Sequence, residues 1–294
     1  MASLESRAFN LFLKLIRKKS FLKKQFDFGK FDFYTCPVPP REVYETCTVE
    51  RSESGGRNVF TLFPKDNPSG KHILYLHGGA YVQNFVRQHW SFLATLVESL
   101  QCTIIAPDYP LAPRHTYRDS FDMVVPLYHE LVEVVPPRDL IVMGDSAGGG
   151  FALALTQYLS TQNIQLPSQL FLLSPWLDIT LKNPAIIEID SRDPFLGIDG
   201  LKRAGKAYSG GASPEGYLLS PINGPMDKLP EVYLFVGSND IMVADARKLK
   251  RILIEKNIPV QYREYDDMIH VWMFLNFPES KQARNEIIEF IRNR

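Results

Sequence analysis

Gly144-Asp145-Ser146-Ala147-Gly148 is a G-x-S-x-G pentapeptide whose flanks give it meaning. Leu140-Ile141-Val142-Met143 before it is a short apolar run that reads as a buried strand. Gly149-Gly150-Phe151-Ala152-Leu153-Ala154-Leu155 after it is small and apolar and reads as a buried helix. Strand, sharp turn and helix together form the setting that presents a serine hydroxyl as a nucleophile, with a helix N-terminus beneath it to favour developing negative charge. Acyl transfer also needs backbone N–H groups aimed at the carbonyl oxygen, and a glycine-rich loop lets a substrate come close enough to reach them. His77-Gly78-Gly79-Ala80-Tyr81 follows the apolar run Ile73-Leu74-Tyr75-Leu76 and suits that task. Gly79 and Ala80 are the expected donors of this loop and Gly78 shapes its turn. Ala147, next to the serine, adds a third N–H. Gly78, Gly79, Ala80 and Ala147 are therefore the candidate oxyanion hole.

A serine nucleophile requires a base and an acid that orients the base. In a strand-turn-helix setting of this kind they follow in chain order, acid and then histidine. Val232-Tyr233-Leu234-Phe235-Val236 reads as a strand ending in Gly237-Ser238-Asn239-Asp240, with a helix from about 244 to 256. Val260-Gln261-Tyr262-Arg263-Glu264-Tyr265 alternates and reads as the last strand, followed by Asp266-Asp267-Met268-Ile269-His270. Ser146, Asp240 and His270 thus fall at carboxyl ends of strands, on one edge of one sheet. Asp245 lies in a first helical turn, where a carboxylate is often only a dipole partner. Asp266 and Asp267 share the histidine's own loop and suit turn capping or solvent. Among the six histidines, His77 reads as a structural hydrogen-bonding residue and His72 opens a strand. His89 and His129 sit on helix-like stretches, and His115 lies in a proline-bounded loop.

With these motifs in this order the chain resembles the hormone-sensitive-lipase family of alpha/beta hydrolases. The resemblance is carried by His77-Gly78-Gly79-Ala80, by Gly144-Asp145-Ser146-Ala147-Gly148-Gly149 and by Asp108-Tyr109-Pro110-Leu111-Ala112-Pro113-Arg114. Ser174-Pro175-Trp176 and the stretch from Gly237 to Asp245 add to it, and together they span roughly residues 70 to 290. The chain departs from the family pattern at Ala80, where the family has a third glycine, and at Pro110 and Arg114, where it has arginine and glutamate. The resemblance implies an alpha/beta-hydrolase fold, a mostly parallel central sheet flanked by helices with a small helical cap. It also implies a serine carboxylesterase acting on short-chain acyl esters, with Asp240 as the triad acid. An arylformamidase or other small-amide hydrolase would use the same groups, and a lipase on longer chains would need a wide apolar mouth. Non-catalytic hormone receptors of this fold typically lose the histidine that this chain keeps as His270.

Composition agrees with these expectations. The 294 residues are 45% hydrophobic and 12% aromatic, enough for one large α/β domain with a sizeable core. Lys plus Arg and Asp plus Glu number 33 each, which gives no reason to expect a nucleic-acid partner. Cys36, Cys47 and Cys102 are odd in number and lack metal-ligand spacing, which argues against a disulfide framework and for a reducing, cytoplasmic setting. No cofactor or metal is expected, the partner is a small-molecule ester, and the chain leaves oligomerisation open. Leu4, Ala8, Leu11, Phe12, Leu15 and Ile16 recur at helical spacing among Arg7, Lys14, Arg17, Lys18 and Lys19. Lys14 interrupts the run, so neither a signal-peptide core nor a membrane span is expected. A cap helix over the site is the favoured reading of this segment, and membrane contact the less favoured one. Prolines 37, 39 and 40 mark a boundary between an arm, 1–40, and a catalytic domain, 41–294. Residues 177–221, long for an α/β connection, are expected to form a cap insertion. Tyr81, Asp145, Trp176 and Phe195 are the candidate pocket residues.

Overall fold

A computed structural model describes residues 2–293. An arm of two helices, α1 (Leu4–Leu15) and α2 (Phe21–Phe28), leads through the short helix α3 (Arg41–Thr46) into an eight-stranded sheet. The hairpin β1 (Cys47–Ser54) and β2 (Arg57–Pro64) precedes β3 (His72–Leu76), α4 (Arg87–Leu100), β4 (Thr103–Pro107) and α5 (Tyr117–Val134). Then come β5 (Leu140–Asp145), α6 (Ser146–Thr161) and β6 (Gln169–Leu173). An insertion carries α7 (Ala185–Asp190) and α8 (Ile198–Ser209), and the chain closes with β7 (Glu231–Gly237), α9 (Val243–Glu255), β8 (Val260–Tyr265) and α10 (Pro278–Arg292).

The strand order is β1-β2-β4-β3-β5-β6-β7-β8, antiparallel across the first three and parallel from β4 onward. The inner strands read as unbroken apolar runs because helices cover both faces of the sheet. Their side chains nevertheless sort with a period of two. Leu74, Leu76, Val142, Leu172 and Leu234 pack on one face in the core that includes Phe151 of α6 and Leu249 of α9. Ile73, Tyr75, Met143, Phe171 and Phe235 pack on the other, against α4 and α10. β8 is the exception: every residue is only half-buried, and Arg263 and Glu264 keep this edge polar, which discourages pairing with another sheet.

Helix ends follow local chemistry. Thr116 and Asp119 form a reciprocal capping box at the start of α5, with Asp119 Oδ2 accepting from the Thr116 N–H at 2.7 Å. Pro278 opens α10, where its missing N–H costs nothing. Because β3, β5, β7 and β8 are parallel, the loops that follow them all emerge at one edge of the sheet, which is where such sheets hold their ligands.

Candidate active site

β5 ends at Asp145 and α6 begins at Ser146 with no intervening loop. That turn forces Ser146 to φ +51°, a left-handed conformation rarely adopted by a residue with a Cβ and costing about 1–3 kcal/mol. Gly148 makes the tight packing possible: a Cβ there would stand 2.0 Å from the Leu76 carbonyl oxygen on β3. Ser174-Pro175-Trp176, after β6, braces the turn from the other side. The Trp176 N–H donates to the Ser146 carbonyl at 2.8 Å, and the Val271 N–H donates to Ser174 Oγ at 3.2 Å.

His270 lies in the loop after β8 and bridges two partners. Its Nε2 is 2.8 Å from Ser146 Oγ and its Nδ1 is 2.8 Å from Asp240 Oδ2. The carboxylate can only accept, so Nδ1 carries the proton and Nε2 is free to take one from the serine. Asp240 follows β7, and its Oδ1 accepts from the Met242 N–H at 2.9 Å. Ser146, His270 and Asp240 are 6%, 3% and 0% exposed. Burial works against an imidazolium here, but the charge and hydrogen bond of Asp240, with added charge from Asp193 and Asp145, outweigh it. His270 is held above the ordinary imidazole value. Asp245, the competing acid, is bound instead by Asn183 at 2.8 Å, and Asp266 and Asp267 are exposed.

The glycine-rich loop winds through three consecutive positive φ angles, +123° at Gly79, +54° at Ala80 and +61° at Tyr81. The N–H groups of Gly79, Ala80 and Ala147 have no acceptor among the described residues. Gly78, grouped with the oxyanion hole as the residue that shapes the turn, plays a different part from the three donors. Its N–H donates to Asp145 Oδ1 at 2.8 Å, so it is engaged within the protein and anchors the loop. His77 is neutral, because burial drives it down to about 3, and its Nδ1 lies 2.6 Å from the Gly78 carbonyl.

The pocket residues read from sequence divide. Phe195 is half-buried with its ring 5.8 Å from that of His270, beside the serine. Asp145 is corrected: its side chain is buried and held among Tyr75 Oη at 2.6 Å, the Gly78 N–H and His89 Nε2 at 3.3 Å. His89 Nδ1 accepts the Val86 N–H at 3.0 Å, so Nε2 bears the proton that faces Asp145. Burial opposes ionisation of Asp145, but His89, Tyr75 and Gly78 prevail and its carboxyl lies below its ordinary range. Tyr81 and Trp176 are also corrected. Both are fully buried, Tyr81 stacked at 3.8 Å on Tyr208 and Trp176 donating its indole N–H to the Asp178 carbonyl. They form packing beneath the loop rather than an open wall.

Sequence reasoning missed Asp193. It lies in the insertion, buried, and accepts from the Phe195 and Leu196 N–H groups with Oδ1 and from the Ile241 N–H with Oδ2 at 3.0 Å. It therefore ties the insertion to the Asp240 loop. Burial first, and then the charge of Asp240, push its carboxyl up to about 7. The available signal was an Asp-Pro pair beside Phe195, which reads as any turn.

The arm meets the same place. Lys18 Nζ stands 4.8 Å over the Phe195 ring and 4.3 Å over Phe21, without a carboxylate partner among the described residues, and burial lowers it to about 8. Lys19 Nζ binds Asp190 of α7, and Leu22 packs at Gly200 of α8.

Comparison with known proteins agrees with this architecture. The family described as alpha/beta hydrolase fold matches residues 73–274. An esterase of Acinetobacter venetianus is 33% identical over 222 residues, covering 74% of this chain and 73% of the relative. An acetyl-hydrolase of Streptomyces hygroscopicus is 30% identical over 272 residues, covering 91% and 87%. Among solved structures, an esterase from the bacterial hormone-sensitive lipase family superposes with a TM-score of 0.85 at 25% identity, covering 100% of this chain and 99% of that one. An esterase/lipase from an uncultured bacterium gives 0.84 at 26% identity, covering 99% of each. With this fold and these relatives, the chain belongs to the alpha/beta hydrolase family, among its hormone-sensitive-lipase-like members, and is a carboxylic ester hydrolase.

Proposed function

We propose that the chain hydrolyses short-chain acyl esters through a Ser146–His270–Asp240 triad and an acyl-enzyme. The observation that carries this is the pair of 2.8 Å contacts flanking His270. The Ser146 proton passes to His270 Nε2 as Oγ bonds to the ester carbon, and the carbonyl electron pair moves to oxygen. That oxyanion is received by the unengaged N–H groups of Gly79, Ala80 and Ala147, each contributing on the order of 3–4 kcal/mol to the transition state. Collapse breaks the bond to the alcohol, which leaves with the proton from His270 Nε2. Water then repeats the sequence and frees the acid. Asp240 keeps Nδ1 protonated and stabilises the cation.

The preference for short chains is supported by the closure of the site. Ser146 is barely exposed, Tyr81 and Tyr208 fill the space beneath the loop, and the Ala80 methyl replaces a hydrogen. Residues 1–40 and the insertion 177–221 act together as the cap, through the Lys19–Asp190 pair and the approach of α2 to Gly200. The test is hydrolysis of p-nitrophenyl esters from acetate to palmitate by wild type and Ser146→Ala. A maximum at short chains that the variant abolishes is expected. A maximum at long chains refutes the chain-length preference, and unaltered activity in the variant refutes the nucleophile.

A further inference from the structure

Exposed large apolar side chains on this protein are concentrated in one stretch of the chain. Thirteen large apolar side chains are at least half exposed among the described residues, and ten of them lie between residues 4 and 44. Leu4, Leu15, Phe28 and Tyr34 are 78%, 74%, 75% and 72% exposed. Scattered single residues of this kind are ordinary on a protein surface, whereas a concentration marks an interaction site.

α1 is not a loose segment that happens to be bare. Its inner side is fixed: Ser6 and Leu13 are buried, and Ser3 binds Glu279 of α10 through both its N–H and its Oγ. Phe9 meets Phe277 edge to face, with ring centroids 5.5 Å apart. With that side docked, helical spacing puts Leu4, Leu11 and Leu15 on the opposite side, with Phe12 and Ile16 beside them. All five are more than half exposed. The apolar stripe of α1 therefore turns outward, to solvent.

Charge follows the same division. Residues 4–34 hold eight Lys or Arg, six of them besides the buried Lys18 and the Asp190-bound Lys19, and three Asp or Glu, in a chain where the two kinds balance overall. An apolar face flanked by basic residues is complementary to one kind of surface, an anionic lipid interface, where the apolar side chains enter the acyl boundary and the cations meet phosphate headgroups. No helix among the described residues is long and apolar enough to cross a membrane, so the contact is one of lying on the surface.

We infer that the arm, led by the outer face of α1, docks the protein on anionic membranes. Lys18 and Phe195 link that arm to the wall of the candidate site, so docking sets the site beside the bilayer surface.

The test uses the full chain and measures binding without turnover, so it stands or falls separately from the esterase reading. Wild type and a Leu11→Glu/Leu15→Glu variant are floated with vesicles of phosphatidylcholine alone and of phosphatidylcholine with phosphatidylglycerol. Hydrolysis of soluble p-nitrophenyl butyrate and the circular dichroism spectrum serve as controls for folding. The expected result is at least about tenfold more wild type on anionic than on neutral vesicles, lost at high salt and in the variant, which keeps its fold. Equal flotation of wild type and folded variant overturns the inference. So does a wild-type dimer in size-exclusion chromatography that the variant converts to monomer while neither floats, because a second copy is then what covers the face. If the double variant does not fold, Leu4→Gln and Leu15→Gln singly must each lower flotation, and no change in either refutes the inference.

Discussion

Asp145 is the residue between the glycine and serine of the elbow, and its carboxylate fastens the oxyanion loop to the strand that carries Ser146. Replacing it with alanine leaves the Tyr75 hydroxyl and the Gly78 N–H without their acceptor in a fully buried place. Hydrogen bonds to a charged group contribute about 1.5–3 kcal/mol each, so losing these two predicts destabilisation of about 3–6 kcal/mol. For a domain of this size that is a fall in Tm on the order of 10 °C. The functional effect is separate. Freed from Asp145, Gly78 no longer sets the path of Gly79 and Ala80, and misplacing one oxyanion donor costs about 100-fold or more in kcat. Asp145→Asn keeps an oxygen for Gly78 and Tyr75 but sets an NH2 against the protonated Nε2 of His89. It should fall between wild type and alanine, at about 1–3 kcal/mol. The carboxyl lies below its ordinary range when folded, so the stability it supplies is present above the unfolded carboxylate value and is lost as pH falls through the folded one. The wild-type advantage over Asp145→Asn should therefore shrink in acid. Urea unfolding at several pH values and kcat on p-nitrophenyl butyrate measure both effects. An Asp145→Ala protein that melts with wild type and turns over at the wild-type rate would refute the anchoring role.

Other outcomes follow from the same geometry. The base must be neutral to act, and His270 is held above the ordinary imidazole value, so the acid limb of kcat/KM should fall at higher pH than for a free imidazole. Gly148→Ala places a methyl against the Leu76 carbonyl and should yield protein that is largely insoluble or melts well below wild type. Lys18→Met removes a desolvated cation and should raise Tm at neutral pH. That gain should shrink from about pH 8 towards 10.5, because the folded wild type sheds its proton first and regains stability over that window.

The sequence was most readable where function is local. The elbow, the glycine-rich loop and the acid and histidine after late strands all lie next to strong apolar runs, and parallel strands bring such loops to one edge without further information. Orientation was harder to read. Periodicity identifies an apolar stripe on α1, but a docked helix and an outward-facing one share the same spacing, and only the anchoring of Ser3, Ser6 and Phe9 tells them apart. Tyr81 and Trp176 sit in motif positions that suggest a pocket, yet an aromatic beside a catalytic motif can as well be buried in packing beneath it. Asp193 was hidden because its partners, Ile241 and Leu196, belong to segments that sequence spacing does not connect.

The sheet order carries a consequence for how the protein comes to life. The elbow forms between neighbours in the chain, β5 and α6, whereas Asp240 and His270 follow β7 and β8, last in the chain and outermost in the sheet. A chain stalled before that edge is laid down holds its serine in a turn but has no base to deprotonate it. Hydrolytic activity then reports completed assembly rather than collapse: during refolding it should trail the burial of Trp90 and Trp176, and a nascent chain should remain inert until its final strands are in place.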